Sequence, residues 1–401
     1  MASALSYRDF RWLWSGSLAS WAGQWIQQAA LGWVVYEITG SGALLGAVMG
    51  ARAIPMLLLT PISGVAAERY DRRRLMQGSQ ALAAAVSLAF GAALALRMVS
   101  PWMLFVFTML MGAVNVIDRP ARFTTAFELV AREDAVRAVA LNTLGFSLMR
   151  IFGPAAAGYL IGWFGAAGSF FIQGLLYGAS ALMVLMVVFP PRRRVRSGRS
   201  ALAEMHEGLR FVATDPRMRL LIILGALPYL LLVPVWGTLF PIYAKDIFAA
   251  GPQGLGMLLT AVGIGGTLGG IVANMLAHAE RQALIQAAWI IAMAAAILGI
   301  AASPSIKLAL VFCVLGGAAE TAHTASNMAM LQMTAPEEMR GRVSSLIMLY
   351  PAMISIGAFV AGPLSDLFGV RGSSVALAAA AVAAVVVLYF FSPHLKDMRF
   401  R

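Results

Sequence analysis

Long apolar runs separated by short polar connections fill most of the chain. A helix needs about 20 mostly apolar residues to cross the hydrocarbon core of a bilayer, and twelve runs come close to that length or exceed it. Strand-like alternation of apolar and polar residues is absent, so the pattern predicts membrane helices rather than a β-barrel. The predicted spans cover residues 12–36, 43–66, 75–97, 102–120, 139–163, 169–189, 218–243, 253–277, 283–302, 306–333, 342–368 and 372–391.

The composition strengthens the membrane interpretation. Of the 401 residues, 60% are hydrophobic and 12% are charged, whereas a soluble domain carries about 25% charged residues. The first run begins near Trp12 and is too long for the core of a signal peptide, so we expect it to be retained as a span. The single cysteine, Cys313, excludes an internal disulfide framework.

The chain contains an internal repeat with an offset of 204 residues. Phe164-Gly165 aligns with Phe368-Gly369, and Gly168-Ser169 aligns with Gly372-Ser373. Between the repeats, a basic stretch begins at Pro190, and an amphipathic helix is predicted over 201–213. We therefore expect three parts, namely a six-helix half (1–189), a cytoplasmic basic linker with its amphipathic helix (190–217) and a second six-helix half (218–401).

The positive charges are distributed unevenly between the two sets of connections. If both termini are cytoplasmic, the inner segments hold 24 Lys and Arg residues and the outer connections hold 4. Positive charge is enriched on the cytoplasmic side of membrane proteins, so this asymmetry predicts a multi-pass protein with both termini in the cytoplasm. It also accounts for the net charge of +12 without a nucleic-acid partner.

One face of the run 306–333 carries a polar stripe in the middle of the membrane. Cys313, Glu320, His323, Thr324 and Asn327 fall within about 100° of this face at 3.6 residues per turn. Ionisable groups inside a span are costly and usually mark a pathway or a partner. We expect the stripe to face a water-filled cavity, where Glu320 exchanges protons near neutral pH. The alternative is that Glu320 and His323 pair with each other or with neighbouring helices.

Two arginines and two glutamines also lie inside predicted spans. Arg52 lies about 15 Å from the outer end of its run, and Arg150 lies a similar distance from the inner end of its own. Either one could bind an anionic group of a substrate. The alternatives are a permanent ion pair with Glu320, or hydrogen bonds to helix carbonyls beside Pro55. Gln24 and Gln28 stand among tryptophans, a surface that suits a bulky amphipathic ligand or packing between helices.

A densely charged segment connects the second and third runs. It reads Gly64-Val65-Ala66-Ala67-Glu68-Arg69-Tyr70-Asp71-Arg72-Arg73-Arg74. A short basic connector between two spans indicates a hinge or latch on the cytoplasmic face. Asp118 lies at the same level, so we expect it to pair with Arg72 or Arg73. The predicted gate comprises Gly64, Glu68, Arg69, Asp71, Arg72, Arg73 and Asp118.

This connector resembles the loop signature of the major facilitator superfamily, Gly-x-x-x-Asp-Arg-x-x-Arg-Arg. Glu68 stands at the place of the signature's Asp, and Asp71 at the place of its second Gly. Further stretches are similar to the branch that includes the enterobactin exporter and macrolide efflux proteins. These stretches are Tyr7-Arg8-Asp9-Phe10-Arg11-Trp12-Leu13-Trp14, Tyr36-Glu37-Ile38-Thr39-Gly40-Ser41, Asp118-Arg119-Pro120-Ala121-Arg122 and Arg340-Gly341-Arg342-Val343.

The resemblance implies an all-α integral membrane fold of 12 transmembrane helices in two pseudo-symmetric six-helix halves. It implies proton-coupled export of a bulky organic molecule, such as a drug or siderophore, across the bacterial cytoplasmic (inner) membrane by alternating access. The partners would be the substrate, protons and the lipid bilayer, with a monomer as the functional form. No cofactor is implied. Gly145, Gly153-Pro154 and Gly158 resemble an antiporter signature that is incomplete here, or serve ordinary helix packing.

Other functions remain as alternatives at this point. A lipid or lysophospholipid flippase would share the fold, and a transport-dead membrane sensor would share the spans. The sequence contains no His-Glu-x-x-His, Walker or nucleophile-elbow pattern, which disfavours an enzyme or a metal centre. Glu37 and Asp366 lie at the outer ends of runs, where a solvated carboxylate needs no special role.

Overall fold

The computed structural model describes residues 4–189, 201–276 and 282–391, and within these ranges the regular structure is helical throughout. The predicted basic stretch over 190–199 lies outside the described residues. The helices are α1 (Arg8–Thr39), α2 (Gly42–Ala51), α3 (Ala53–Arg69), α4 (Arg72–Ala95), α5 (Pro101–Glu128), α6 (Ala135–Leu185), α7 (Ala201–Thr214), α8 (Pro216–Leu231), α9 (Phe240–Ile242), α10 (Gly251–Met275), α11 (Gln282–Ala302), α12 (Ile306–Thr334), α13 (Glu337–Ile347) and α14 (Tyr350–Phe391). Two π-helical segments, Val235–Leu239 and Tyr243–Ile247, flank α9.

Nine segments of the described chain are long and apolar enough to cross a membrane. Two of them, Arg132–Leu185 and Glu337–Phe390, have 54 residues each. A continuous helix of that length would extend about 80 Å, far more than a bilayer core of about 30 Å. Each therefore accounts for two crossings, and together with α1 the number of crossings agrees with the twelve predicted. The all-α integral membrane fold is confirmed.

Both long segments break at a glycine, and the two glycines are related by the 204-residue repeat. Gly165 and Gly369 each have φ of 70°, with ψ of 176° and 163°. This left-handed backbone region is open to glycine because glycine has no Cβ. Four residues later, the Oγ of Ser169 donates to Ala166 O at 2.6 Å, and the Oγ of Ser373 donates to Val370 O at 2.9 Å. The repeat seen in the sequence is therefore present in the backbone geometry.

The chain divides into two compact units. Unit 1 consists of Met1–Val34 and Ile54–Ala201, and unit 2 of Val35–Ala53 and Leu202–Arg401. The end of the first predicted span and the beginning of the second thus belong to unit 2, which the predicted halves did not anticipate. The chain returns to unit 1 where α2 ends and α3 begins, around Arg52. Pro55 explains the interruption, because it has no N–H for the carbonyl of Ala51 four residues earlier.

Close contacts between side chains and glycines hold each unit together. In unit 1, the rings of Phe90, Phe107 and Phe170 lie 4.4–5.4 Å apart and join α4, α5 and α6. In unit 2, α10 packs directly on α12, since a Cβ added to Gly265 would lie 2.0 Å from Val314 O. This contact fixes the rotation of α12 and therefore the direction of its polar stripe.

The predicted amphipathic helix over 201–213 is observed as α7. Val212 is buried, whereas Leu209 is exposed. Arg342 donates to the Glu207 carboxylate at 2.7 Å and ties α7 to α13 within unit 2.

Candidate functional site

In unit 1, the predicted polar face of α1 lies next to α6. The face consists of Trp21, Gln24, Trp25 and Gln28, spaced at i, i+3, i+4 and i+7. We call it the aromatic–amide face. Both glutamines are half-buried. The rings of Trp21 and Trp25 each lie 5.8 Å from the ring of Phe146 on α6, a residue that the sequence analysis did not select.

Two glycines of α6 explain why α1 packs so close to it. A Cβ added to Gly153 would lie 2.5 Å from the Cβ of Trp25, and one added to Gly145 would lie 2.9 Å from Leu18. Trp14 Nε1 also donates to Leu141 O at 3.1 Å. Of the two interpretations of this glycine pattern, the structure supports helix packing. Arg150 lies one helical turn beyond Phe146 and is half-buried.

In unit 2, the polar stripe of α12 is divided between two environments. His323 and Asn327 are 1% and 2% exposed, whereas Glu320 and Thr324 are half-buried. Asn327 Nδ2 donates to Leu221 O of α8 at 2.9 Å, and His323 faces the backbone of Leu224. The expectation that the whole stripe faces water is therefore wrong for His323 and Asn327. Helix α8 supplies backbone partners for these two side chains, which the sequence of α12 does not reveal.

Two tyrosines that the sequence analysis did not select complete the surroundings of the stripe. Tyr350 OH lies 3.4 Å from Asn327 Oδ1, and Tyr229 OH lies 2.9 Å from Thr324 Oγ1. The two rings are 5.4 Å apart. We call Tyr229, Thr324, Asn327 and Tyr350 the tyrosine cluster. A tyrosine inside an apolar run, such as Tyr229, is a sequence signal that could have indicated its involvement.

The remaining intramembrane arginine, Arg52, is the residue between α2 and α3 and is half-buried in unit 2. Glu320 also belongs to unit 2, whereas Arg150, Gln24 and Gln28 belong to unit 1. The predicted site residues are therefore distributed over both units. Among the described residues, no group of three His, Cys, Asp or Glu side chains is arranged to hold a metal ion.

The charged connector of unit 1 is built differently from the prediction. Asp118 does not pair with Arg72 or Arg73 but with Arg122, whose Nε lies 2.9 Å from its carboxylate. Arg122 is one turn further along α5, so the pair forms within a single helix. Arg72 instead forms an ion pair with Glu128 at 2.7 Å, and Arg73 donates to Leu185 O at 2.9 Å.

Serines extend the Asp118–Arg122 pair into a network. Ser79 Oγ lies 3.1 Å from Asp118, and Arg122 donates to Ser17 at 3.3 Å and to Ser180 at 3.2 Å. All five side chains are buried. We call Ser17, Ser79, Asp118, Arg122 and Ser180 the charged network. It ties α1, α4, α5 and α6 together.

The other predicted gate residues lie around the start of α4. Asp71 is the N-cap of α4, and its carboxylate accepts hydrogen bonds from the backbone N–H groups of Arg73 at 2.8 Å and Arg74 at 3.2 Å. A carboxylate at this position also interacts favourably with the helix dipole. Gly64, Glu68 and Arg69 fall in α3, where their side chains are outside the described residues.

The carboxylate of Asp366, for which no special role was predicted, accepts three hydrogen bonds. It accepts hydrogen bonds from the backbone N–H groups of Gly42 at 2.7 Å and Ala43 at 2.9 Å, and from Ser41 Oγ at 3.0 Å. Asp366 lies on α14 and its three donors lie at the start of α2, all within unit 2. The expectation that it has no special role is wrong. No local pattern around Asp366 indicates a partner more than 300 residues away.

Comparisons with known proteins agree with this architecture. The chain matches the transmembrane secretion effector family over residues 2–399. It is 31% identical over 396 residues to the multidrug efflux pump Tap of Mycolicibacterium fortuitum, covering 95% of each chain. It is 23% identical over 398 residues to the staphyloferrin A transporter of Staphylococcus aureus, covering 96% of this chain and 97% of the relative.

A solved structure with the same fold is a bacterial homolog of the human lysosomal transporter Spinster. The TM-score is 0.80 at 14% sequence identity, over 98% of this chain and 99% of the other. At that identity, the similarity concerns the fold alone. The family match extends over nearly the whole chain and agrees with the membrane helices and the repeated helix break. The chain therefore belongs to the transmembrane secretion effector family of the major facilitator superfamily, and the relatives named above are transporters rather than enzymes.

Proposed function

We propose that this protein is a proton-coupled secondary transporter that exports bulky organic molecules from a bacterial cytoplasm. The observation that carries the proposal is the 31% identity to a multidrug efflux pump over 95% of both chains. The second relative is named for a siderophore, so the substrate class is a drug-like or siderophore-like organic compound. The excess of positive charge on one set of connections supports a cytoplasmic location for both termini and an inner-membrane location for the protein.

The aromatic–amide face and Arg150 supply substrate-binding chemistry from unit 1. Indole rings bury apolar area, and the amides of Gln24 and Gln28 donate and accept hydrogen bonds along the same face. Both amides and Arg150 are half-buried, so part of each side chain is exposed for contact with a ligand. Arg52, in unit 2, offers a second cation for an acidic group on the substrate.

Unit 2 supplies the group that couples proton and substrate fluxes. Glu320 is half-buried on a helix whose neighbouring polar residues, His323 and Asn327, are held in place by α8. A carboxyl group in this setting can bind a proton on one side of the membrane and release it on the other. Protonation removes a negative charge and so changes the affinity for the substrate, which links the two fluxes during alternating access. His323 is the second candidate for this role.

The predicted gate residues act at the cytoplasmic end of unit 1 in this proposal. Asp71 caps α4, and the Arg72–Glu128 pair and the charged network brace the same end. Gly64, Glu68 and Arg69, at the end of α3, complete the proposed gate. The transporter acts as a monomer, because each chain contains both six-helix halves.

Transport in proteoliposomes tests the proposal. A panel of fluorescent drugs and a ferric siderophore is loaded, and efflux is followed with and without an imposed pH gradient. We expect gradient-dependent efflux that Glu320→Gln reduces by at least tenfold, while substrate exchange without a gradient persists. Glu37→Gln is the matched control, because Glu37 is an exposed acid at the end of α1.

Two results would contradict parts of the proposal. If Glu320→Gln and wild type show equal gradient-driven efflux, Glu320 is not the coupling group. If only fluorescent lysophospholipid moves, and does so without a pH gradient, the protein is a lipid transporter rather than a drug or siderophore exporter.

A further inference from the structure

The segment 35–53 has an unusual position for its place in the chain. It belongs by sequence to the first two spans, yet it is part of unit 2, while the residues on both sides of it are part of unit 1. At Gly46 and Gly362, its helix α2 packs on α14 backbone to backbone. A Cβ added to Gly46 would lie 2.4 Å from Ala358 O, and one added to Gly362 would lie 2.4 Å from Gly42 O.

A carboxylate closes the end of this contact. The three donors to Asp366 are the first backbone N–H groups of α2 and the hydroxyl of its N-cap, Ser41. The first N–H groups of a helix have no partner within the helix, and they carry the positive end of its dipole. Hydrogen bonds from such groups to an ionised carboxylate are short and strong. Asp366 thus binds the start of α2 through two backbone N–H groups and one side chain, the hydroxyl of Ser41.

A second acid holds the other side of the same turn. The hydroxyl of Tyr36, near the end of α1, donates to the carboxylate of Asp246 in the π-helical segment after α9. The Lys245 ammonium lies 5.3 Å from the centre of the Tyr36 ring. The connection between the first two spans is therefore anchored at both ends by carboxylates from the second half of the sequence.

We propose that Asp366 and Asp246, with Ser41 and Tyr36, form an outer latch that must open in every transport cycle. The proposal rests on alternating access and on the orientation proposed above, which puts this connection outside the cell. The segment 35–53 is covalently continuous with unit 1 at both ends, so rocking of unit 1 pulls it away from α14. The latch therefore opposes opening to the outside, and its strength sets how often the outward-facing state is visited.

Labelling of a buried cysteine tests the latch directly. The reporter is Val48→Cys, at a position on α2 that is 1% exposed, in a Cys313→Ala background. A membrane-impermeant maleimide is added to intact cells, and total protein is quantified by labelling after denaturation. We expect Asp366→Asn to raise the labelling rate about tenfold, as the loss of charge-assisted hydrogen bonds predicts. Asp246→Asn should act in the same direction.

Glu37→Gln, on the same turn, should leave the rate unchanged. Equal labelling of Asp366→Asn and the parent would overturn the latch, as would an equal rise for Glu37→Gln. Labelling requires no transport, so a tenfold rise in a protein that moves no substrate would support the latch and reject the proposed function.

A cross-link provides a second test that does not depend on weakening the fold. The side chains of Ser41 and Asp366 are in hydrogen-bonding contact, so Ser41→Cys with Asp366→Cys should form a disulfide on oxidation. We expect oxidation to lower the transport rate at least tenfold, and a reductant to restore it. Glu37→Cys paired with Asp366→Cys is the control. Full transport by the cross-linked protein would show that the latch does not open during the cycle.

Discussion

The two units bury polar side chains in different ways. In unit 1, Asp118 and Arg122 are buried together as an ion pair within the charged network. The positions 204 residues later in the chain hold Ala322 and Ser326. In unit 2, the polar groups packed around α12 include instead the neutral side chains of the tyrosine cluster, which are joined by hydrogen bonds. Asn327 and Tyr350 are buried, whereas Tyr229 and Thr324 are half-buried.

The two kinds of buried polar group differ in the free energy that is lost when one partner is removed. Removing one partner of a buried ion pair leaves an uncompensated charge and costs about 3–5 kcal/mol, whereas a neutral hydrogen bond contributes about 1 kcal/mol. Unit 1 therefore commits two buried charges, Asp118 and Arg122, to its structure. Unit 2 keeps its central carboxylate, Glu320, half-buried, which leaves it suited to the coupling role proposed for it.

The largest expected effect comes from breaking the charged network. Asp118→Ala leaves Arg122 buried without its carboxylate, and we expect a loss of about 3–5 kcal/mol in the free energy of unfolding. Reversible unfolding in mixed detergent–SDS micelles measures it. The double variant with Arg122→Ala should be less destabilised than the sum of the two single variants by about 2 kcal/mol. Strict additivity would mean that the pair does not act as a unit.

An intermediate effect is expected at the second ion pair of unit 1. The Glu128 side chain is 38% exposed, so solvent screens its attraction to Arg72, and we expect Glu128→Gln to cost about 1 kcal/mol. The same unfolding measurement applies. Arg72→Gln should cost a similar amount, and the double variant little more. If Glu128→Gln leaves the free energy of unfolding unchanged while Arg72→Gln lowers it, another acid holds Arg72.

The smallest effect is expected in unit 2. Tyr350→Phe removes a hydroxyl that contacts Asn327 Oδ1 and Ile222 O but keeps the ring, so we expect a loss of about 0.5–1.5 kcal/mol. Tyr159→Phe, on an exposed face of α6, is the matched control and should leave the stability unchanged. If Tyr350→Phe costs as much as Asp118→Ala, the contrast between charged and neutral networks does not hold.

Features that repeat along the chain were predictable, because they depend on local chemistry. Apolar runs of sufficient length specify membrane helices, and the glycines at 165 and 369 specify a backbone that other residues avoid. The partners of the charged groups were not predictable in the same way. Asp118 had two candidate arginines in the connector and a third one turn away, and helix packing selected the third.

In the candidate site, too, the sequence predicted which residues share a helix face but not which residues they contact. The spacing of Glu320, His323 and Asn327 placed them on one face of α12, but spacing cannot state what lies opposite. The backbone of α8 and the hydroxyl of Tyr350 cover Asn327, so part of the predicted water-facing stripe is packed. Asp366 was set aside because a carboxylate at a helix end resembles any solvated acid until the partner helix is known.

The sequence by itself determined the membrane class, the helices, the repeat and the family resemblance, since each follows from composition, period or motif. Only the tertiary structure decided which acid holds which base, which polar groups are covered, and that residues 35–53 pack with the second half of the chain. The physical reason is that a hydrogen bond or ion pair depends on distances of about 3 Å between atoms. For most of these contacts, including Arg72–Glu128 and Asp366 with α2, those distances are set by how helices far apart in sequence pack together. The Asp118–Arg122 pair forms within α5, but only the packing shows that the arginines of the connector bind elsewhere.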